Sequence, residues 1–235
     1  MLADYLGKGK EVSEWTAKAM GGNVKFEDAL GARLSILQPT RKSVEACMSE
    51  RPFKLTPGIA DLVSALHENN VAVWLVSGGF EIMIEPIAAT LNIPRRNIIA
   101  NRIIFKDDDV GSYDRWVMAR YSSSKMYGFI FYFIFFILFC FFSHNQNTLS
   151  FDKTVLTSAD MGKPKACAKI KQQGGFENVV MVGDGATDAQ AKAPGAADAF
   201  IGFGGVASRD PVKAKADWFV MDFSDMTKVV RGEIA

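Results

Sequence analysis

Two aspartates that follow a short apolar run are the residues best placed to do chemistry in this sequence. Asp184 and Asp188 come directly after residues 179–183, VVMVG, and this apolar, β-branched run predicts a buried strand. Gly183 and Gly185 allow a sharp turn and a close approach of the backbone to a ligand. Because ligands of open α/β sheets bind beyond the carboxyl ends of the strands, these carboxylates suit a hard cation such as Mg²⁺. A surface turn whose aspartate caps the next helix is the alternative, but it accounts for Asp184 alone, since Asp188 falls inside that helix.

A serine and a lysine at two further element ends could complete a phosphate site. Ser77 follows residues 71–76, VAVWLV, a predicted strand buried on both faces, and its hydroxyl and the amides of Gly78 and Gly79 can form an anion-binding nest. Lys163 opens the helix before the aspartate-bearing strand, where its ammonium can neutralise a phosphate. A turn serine and a surface lysine are common on their own. Together with the paired aspartates, on successive strand ends, they predict one phosphate-plus-metal pocket.

The elements that must position these groups alternate between helix and strand. Residues 1–50 predict helices, because apolar residues recur at spacings of three and four until Pro39. A further helix is expected to begin with Thr56 as its N-cap and Pro57 in its first turn. Other short strands are expected at 97–105, 200–203 and 218–221. This alternation predicts an α/β fold with a mostly parallel sheet and helices on both faces.

Composition narrows the class of protein. At 235 residues and a net charge of +1, the chain is long enough for one substantial domain plus a small one, and it has no clustered basic face that would bind nucleic acid. Its three cysteines are widely spaced, which predicts no disulfide framework or zinc site and indicates a reducing compartment, with the cytoplasm as the default. Its two histidines lie outside any motif, which argues against Ser-His-Asp or Cys-His catalysis.

One strongly apolar segment interrupts this pattern. Residues 126–142, MYGFIFYFIFFILFCFF, carry no charge over 17 residues, 8 of them Phe, at the short end of the length of a membrane-spanning helix. A single span between Ser77 and Lys163 would place the two halves of one phosphate site on opposite sides of a bilayer. We therefore interpret residues 114–150 as an insert that resembles a translated intron, and we favour that reading over a membrane anchor.

Six stretches of the chain carry a resemblance to a known family. They are AMGGNVKFEDALGARLSILQP (19–39), LTPGIADLV (55–63), VSGGF (76–80), LNIPRRNIIANR (91–102), GDGATDAQA (183–191) and ADAFIGFGG (197–205). These stretches are similar to the phosphoserine phosphatases of the haloacid dehalogenase superfamily. The resemblance implies a Rossmann-like core in residues 51–235, interrupted at 114–150, with a small helical cap in residues 1–50. It also implies Mg²⁺-dependent hydrolysis of O-phospho-L-serine to L-serine and phosphate, which ends L-serine biosynthesis, and it leaves a homodimer open.

The resemblance assigns a role to each matched site residue. The transferring phosphoryl group would be bound by Ser77, Gly78 and Gly79. Its charge would be neutralised by Lys163, with Lys165 as a nearby competitor for that role.

The metal and the serine part of the substrate would be held by other residues. Asp184 would ligate Mg²⁺, Asp188 would support the metal and the lysine, and Thr187 would face the substrate. The serine carboxylate and amine would be gripped by Met20, Gly21 and Arg33, the last in a bidentate role that suits a guanidinium.

The sequence departs from the family at the family's first motif. An Asp-x-Asp-x-Thr/Ser at the end of the first strand supplies the nucleophile and the general acid and base, and this motif is absent here. Asp107-x-Asp109 and Asp152 in FDKTVLT are rejected as substitutes, because both follow Ser77 whereas the family's nucleophile comes first. We expect the first strand and its nucleophile to lie upstream of Met1, and the chain as printed to bind phosphoserine weakly and turn it over negligibly. The alternatives are a non-catalytic phosphometabolite-binding module and, less favoured, a membrane-tethered protein.

Overall fold

The computed structural model describes residues 1–20, 25–105, 128–131 and 150–234. The helices in these ranges are α1 (Leu2–Tyr5), α2 (Gly9–Met20), α3 (Phe26–Leu37), α4 (Arg41–Glu50), α5 (Ile59–Glu68), α6 (Glu81–Thr90), α7 (Gly162–Gly174), α8 (Ala186–Ala189), α9 (Asp210–Lys213) and α10 (Phe223–Val230). The strands are β1 (Ala72–Phe80), β2 (Ile98–Asn101), β3 (Ile103–Ile104), β4 (Gly128–Phe131), β5 (Ser150–Phe151), β6 (Val179–Gly183), β7 (Ala199–Phe203) and β8 (Trp218–Val220). Two 3₁₀ turns span Arg95–Asn97 and Leu156–Ser158.

A parallel sheet of six strands, in the order β2-β1-β4-β6-β7-β8, forms the core of the described chain. Side chains of β6 alternate between its two faces, as they must in a strand. Val179 and Met181 pack with Ile170 of α7, whereas Val182 packs in the cluster that contains Leu62 of α5. Helices therefore cover both faces, and the predicted α/β fold is confirmed.

Helices α1, α3 and α4 pack around a smaller apolar cluster beside the sheet. Leu30 and Leu34 of α3 meet Val44 of α4 there, together with Phe151 of β5. β5 pairs in antiparallel fashion with β3, and this two-stranded sheet joins the helices to the core. The division into a cap at residues 1–50 and a core at 51–235 stays a prediction.

The start of α5 differs from the sequence prediction. Thr56 does not cap the helix and Pro57 is not in its first turn: α5 begins at Ile59, and its N-cap is Gly58. Gly58 has φ of 79°, a left-handed conformation that a side chain would strain. The Ile59 N–H donates to the Thr56 carbonyl across this turn, so a backbone bond replaces the predicted side-chain cap.

Two strands were also misjudged from the sequence. β1 continues past the predicted strand end at residue 76 to Phe80, with an irregularity in its pairing to β2 between Ser77 and Phe80. Part of the apolar insert, Gly128–Phe131, forms β4 at the centre of the sheet, between β1 and β6, where no strand was predicted. Among the helices that the structure describes, none has the length and apolar character needed to cross a membrane. The rest of the insert lies outside the described residues.

Candidate active site

The carboxyl ends of β1 and β6 stand at the same level of the sheet. Leu75 of β1 and Val182 of β6 both pair with Phe131 of the central strand. Ser77 and Asp184 each lie two residues further along, so they stand at about the same level on either side of β4. Two strand spacings separate β1 from β6, or about 10 Å. A tetrahedral anion placed at this edge can therefore contact groups from both strands.

The segment after Leu75 presents a serine that is already oriented. Ser77 is 6% exposed, and its Oγ accepts the Gly79 N–H at 2.9 Å. A Cβ built on Gly79 would stand 3.1 Å from that Oγ, so a side chain there would crowd the hydroxyl. With its oxygen occupied as an acceptor, the Ser77 hydroxyl remains a donor, which is what a bound anion requires.

Lys163 and Asp188 form a buried ion pair behind this edge. Lys163, at the start of α7, is 7% exposed, and its Nζ donates to Asp188 Oδ1. Asp188 is fully buried, and its Oδ2 accepts the Gly185 N–H at 2.9 Å. Asp188 is thus the third residue of α8 and accepts from the backbone of the N-cap residue Gly185, and each of its two oxygens accepts a hydrogen bond. Burial raises the pKa of the Asp188 carboxyl, and the adjacent Lys163 ammonium opposes that shift.

Gly183 makes room for this pair. A Cβ at Gly183 would lie 2.3 Å from the carboxyl carbon of Asp188, closer than any real contact. Lys165, the competing lysine, is exposed and donates to the Asp160 carbonyl at 3.1 Å. The lysine that the structure brings to the aspartates is therefore Lys163.

Asp184 is paired with an arginine that the sequence analysis missed. Asp184 is buried, and Nη1 of Arg209 donates both to its carboxylate and, at 2.7 Å, to its carbonyl oxygen. Arg209 is the residue before α9, in the segment that follows β7. A basic residue shortly after the Gly204-Gly205 end of a predicted strand was the available signal.

These carboxylates do not make a complete divalent-cation site by themselves. In the part of the chain that the structure describes, no three His, Cys, Asp or Glu side chains cluster so that they could hold a metal ion. Asp184 has the right donor chemistry, but its carboxylate is engaged by Arg209, and each oxygen of Asp188 already accepts a hydrogen bond, from Lys163 and from the Gly185 N–H. The described residues therefore do not fit Mg²⁺ without further oxygen donors.

Of the residues predicted to bind the serine part of the substrate, Arg33 lies on the helical side. Arg33 is 3% exposed on α3, which packs against β5 and the Leu156–Ser158 turn. That turn in turn packs against α7, β2 and β1, so α3 is joined to the site through it. Thr187 is exposed on α8. Met20 is the last residue of α2, and its side chain is not described. Gly21 lies outside the described residues.

No nucleophile is found at the site among the described residues. β4, between Ser77 and Asp184, has the sequence GFIF, and the chain has no Asp or Glu from 115 to 151. Asp152 follows β5 of the two-stranded sheet, and its Oδ1 accepts from Thr154. Asp107 and Asp109 lie outside the described ranges. Burial raises the pKa of the Cys167 thiol to about 12, so it is not a thiolate at neutral pH.

Comparison with known proteins places the chain among hydrolases. Residues 14–122 match the haloacid dehalogenase-like hydrolase family. The chain is 40% identical over 225 residues to the chloroplastic phosphoserine phosphatase of Arabidopsis thaliana, covering 96% of this chain and 64% of that protein. The phosphoserine phosphatase of Rattus norvegicus is also 40% identical, over 96% of this chain and 83% of that relative. A phosphoserine phosphohydrolase-like protein from Francisella tularensis superposes with a TM-score of 0.67 at 26% identity, covering 97% of this chain and 89% of that one.

Proposed function

Because the chain belongs to the phosphoserine phosphatases of the haloacid dehalogenase superfamily, we propose that it binds O-phospho-L-serine at the carboxyl edge of its sheet and serves the hydrolysis of that ester. The observation that carries the proposal is the convergence of Ser77, Lys163 and Asp184 on one edge, from three separate elements. The Ser77 hydroxyl and the Gly78 amide would donate to the phosphoryl oxygens. The Lys163 ammonium, held by Asp188, would neutralise their charge.

The remaining roles follow from the family. Met20, Gly21 and Arg33 would hold the serine carboxylate and amine, and the exposed Thr187 would face the substrate. Mg²⁺ is the proposed metal, with Asp184 as its ligand and Asp188 in support. A divalent cation would first have to displace Arg209 from Asp184, and it would need oxygen donors beyond those described. When bound, it would supply charge neutralisation at the phosphoryl group.

Binding without turnover is the second candidate function. One observation favours it: the central strand between Ser77 and Asp184 carries no carboxylate that could accept a phosphoryl group. Ester hydrolysis by the family's route requires that group. The present chain would then recognise a phosphorylated metabolite and release nothing.

Phosphate release from O-phospho-L-serine, measured with and without MgCl₂, separates the two candidates. For the chain as printed we expect binding without measurable release, whereas a form that carries an Asp-x-Asp strand should release phosphate and lose that activity on Asp184→Asn. Lys163→Met should abolish phosphoserine binding, and Lys165→Met is the matched control that should retain it. Undiminished binding by Lys163→Met, in a variant shown to be folded, would contradict the assignment of the phosphate site.

A further inference from the structure

A buried amide side chain connects the two halves of the site. Asn101, at the end of β2, is fully buried. Its Nδ2 donates to the Gly78 carbonyl at 2.9 Å, and its Oδ1 accepts the Thr157 hydroxyl at 3.1 Å. Both ends of one amide group are thus used, one toward the segment of Ser77 and the other toward the turn before Lys163. Polar groups at such depth are costly unless they are bonded in this way.

On one side, Asn101 sets the orientation of the serine. The Gly78 carbonyl and the Gly79 N–H belong to the same trans peptide and so point in opposite directions. When Asn101 holds that carbonyl, the Gly79 N–H is turned toward Ser77 Oγ, which it meets at 2.9 Å. The Ser77 hydroxyl hydrogen is thereby left to donate outward.

On the other side, Thr157 fixes the start of α7. Thr157 lies in the Leu156–Ser158 turn and is buried. A Cβ at Gly162 would stand 2.4 Å from the Leu156 carbonyl oxygen and 2.9 Å from Thr157 Cα, so the turn and the first residue of α7 are in close contact. Lys163 is the next residue. A shift of this turn must therefore move the ammonium as well.

We infer that Asn101 and Thr157 are positioning residues that fix the Ser77 hydroxyl and the Lys163 ammonium relative to each other for a phosphate group. Both residues are buried, and their hydrogen bonds are made within the protein. Asn101 acts through the Gly78–Gly79 peptide, and Thr157 acts through the start of α7. The inference deepens the proposed function and rests on it for the identity of the ligand, but the link itself exists in the ligand-free chain.

Hydrogen exchange of the Gly79 amide tests the link without any ligand. In Asn101→Ala we expect this amide to exchange at least about tenfold faster than in the wild type, because its orientation is no longer held. Asn97→Ala is the matched control: Asn97 Nδ2 also donates to a carbonyl of β1, that of Val73, at 2.9 Å, but away from the site. This control should change Gly79 exchange by less than about twofold. Equal acceleration in both variants would overturn the inference, because it would show general loosening only.

Affinity for inorganic phosphate tests the other end of the link. Thr157→Val keeps the shape of the side chain but loses the hydroxyl, and loss of one buried hydrogen bond should weaken phosphate binding about fivefold. Thr157→Ser restores the donor and should restore the affinity. The Asn101→Ala, Thr157→Val double variant should lose less than the product of the two single losses, since both act through one amide.

Two outcomes would overturn the inference here: no recovery in Thr157→Ser, or fully independent losses in the double variant. If the wild type binds neither phosphate nor phosphoserine, the proposed function fails. In that case Gly79 exchange alone decides whether Asn101 positions the Ser77 segment.

Discussion

Replacing Lys163 with methionine is the sharpest perturbation of the site. The Lys163 side chain is 8% exposed and that of its partner Asp188 is 0% exposed. Methionine keeps the length of the side chain and removes the ammonium. Among the residues that the structure describes, Lys163→Met therefore leaves this interior carboxylate with the Gly185 N–H as its remaining donor. Breaking a buried pair in this way costs about 3–5 kcal/mol of unfolding free energy.

The penalty should depend on pH in a direction that the structure fixes. Burial already raises the pKa of Asp188, whereas the Lys163 ammonium lowers it. Removal of that ammonium therefore raises the pKa of Asp188 further. A carboxyl whose folded-state pKa lies above its unfolded value contributes most stability at low pH and loses it as the pH rises through the folded value. Lys163→Met should therefore be less destabilised at pH 5 than at pH 8.

Urea unfolding at both pH values, followed by circular dichroism, measures this directly. With an m-value of about 2 kcal/mol/M, a loss of about 4 kcal/mol moves the midpoint down by about 2 M at pH 8. Lys171→Met is the matched control, because its partner Asp198 is 41% exposed and such surface pairs contribute about 0.2–1 kcal/mol. Equal, pH-independent losses in the two variants would refute the argument that Lys163 and Asp188 form a buried, mutually dependent pair.

Two further predictions concern other charged groups. Burial raises the pKa of Asp198, but Lys171 and the Val179 N–H outweigh it, so this pKa lies below its ordinary value. The stability that Asp198 contributes is then present above the ordinary Asp pKa and is lost as the pH falls through the folded-state pKa. Asp198→Asn should therefore lower Tm at pH 7 and have a smaller effect near pH 2. An equal change of Tm at both pH values would contradict this prediction. Mn²⁺ should bind weakly at Asp184, since oxygen donors are few there, and up to about tenfold more tightly in Arg209→Gln, because the competing cation is gone. Electron paramagnetic resonance titrations that are identical for the wild type and the variant would show that Arg209 does not compete.

The parts of the site that could be predicted from the sequence are those with local signatures. Asp184 and Asp188 follow a short apolar strand, and Ser77 follows another, so strand ends and turn glycines located them. Lys163 could not be separated from Lys165 by sequence, because both lie within the first turns of α7. Their difference is one of burial, which depends on how the whole helix packs.

The parts that were missed depend on contacts distant in sequence. Arg209 reaches Asp184 from 25 residues away, and Asn101 reaches Gly78 from 23 residues away. The position of Arg209 shortly after Gly204-Gly205 makes it a candidate, but no local pattern shows which group either side chain contacts. The entry of residues 128–131 into the middle of the sheet was missed for the same reason. The place of a strand in a sheet depends on which other strands have an unpaired edge, and sequence alone does not show this. An apolar run that is long enough for a membrane helix can therefore also supply a strand between two others, as β4 does between β1 and β6.

Calorimetric titration of the wild-type chain with O-phospho-L-serine, set against L-serine, tests the central claim most directly. The claim is that Ser77 and Lys163 form a site for the phosphate group of phosphoserine. Phosphoserine should bind, and L-serine should bind at least about a hundredfold more weakly, since it lacks the group that the Lys163 ammonium and the Ser77 hydroxyl contact. Equal affinities for the two compounds, or no binding of phosphoserine by the folded chain, would contradict the account.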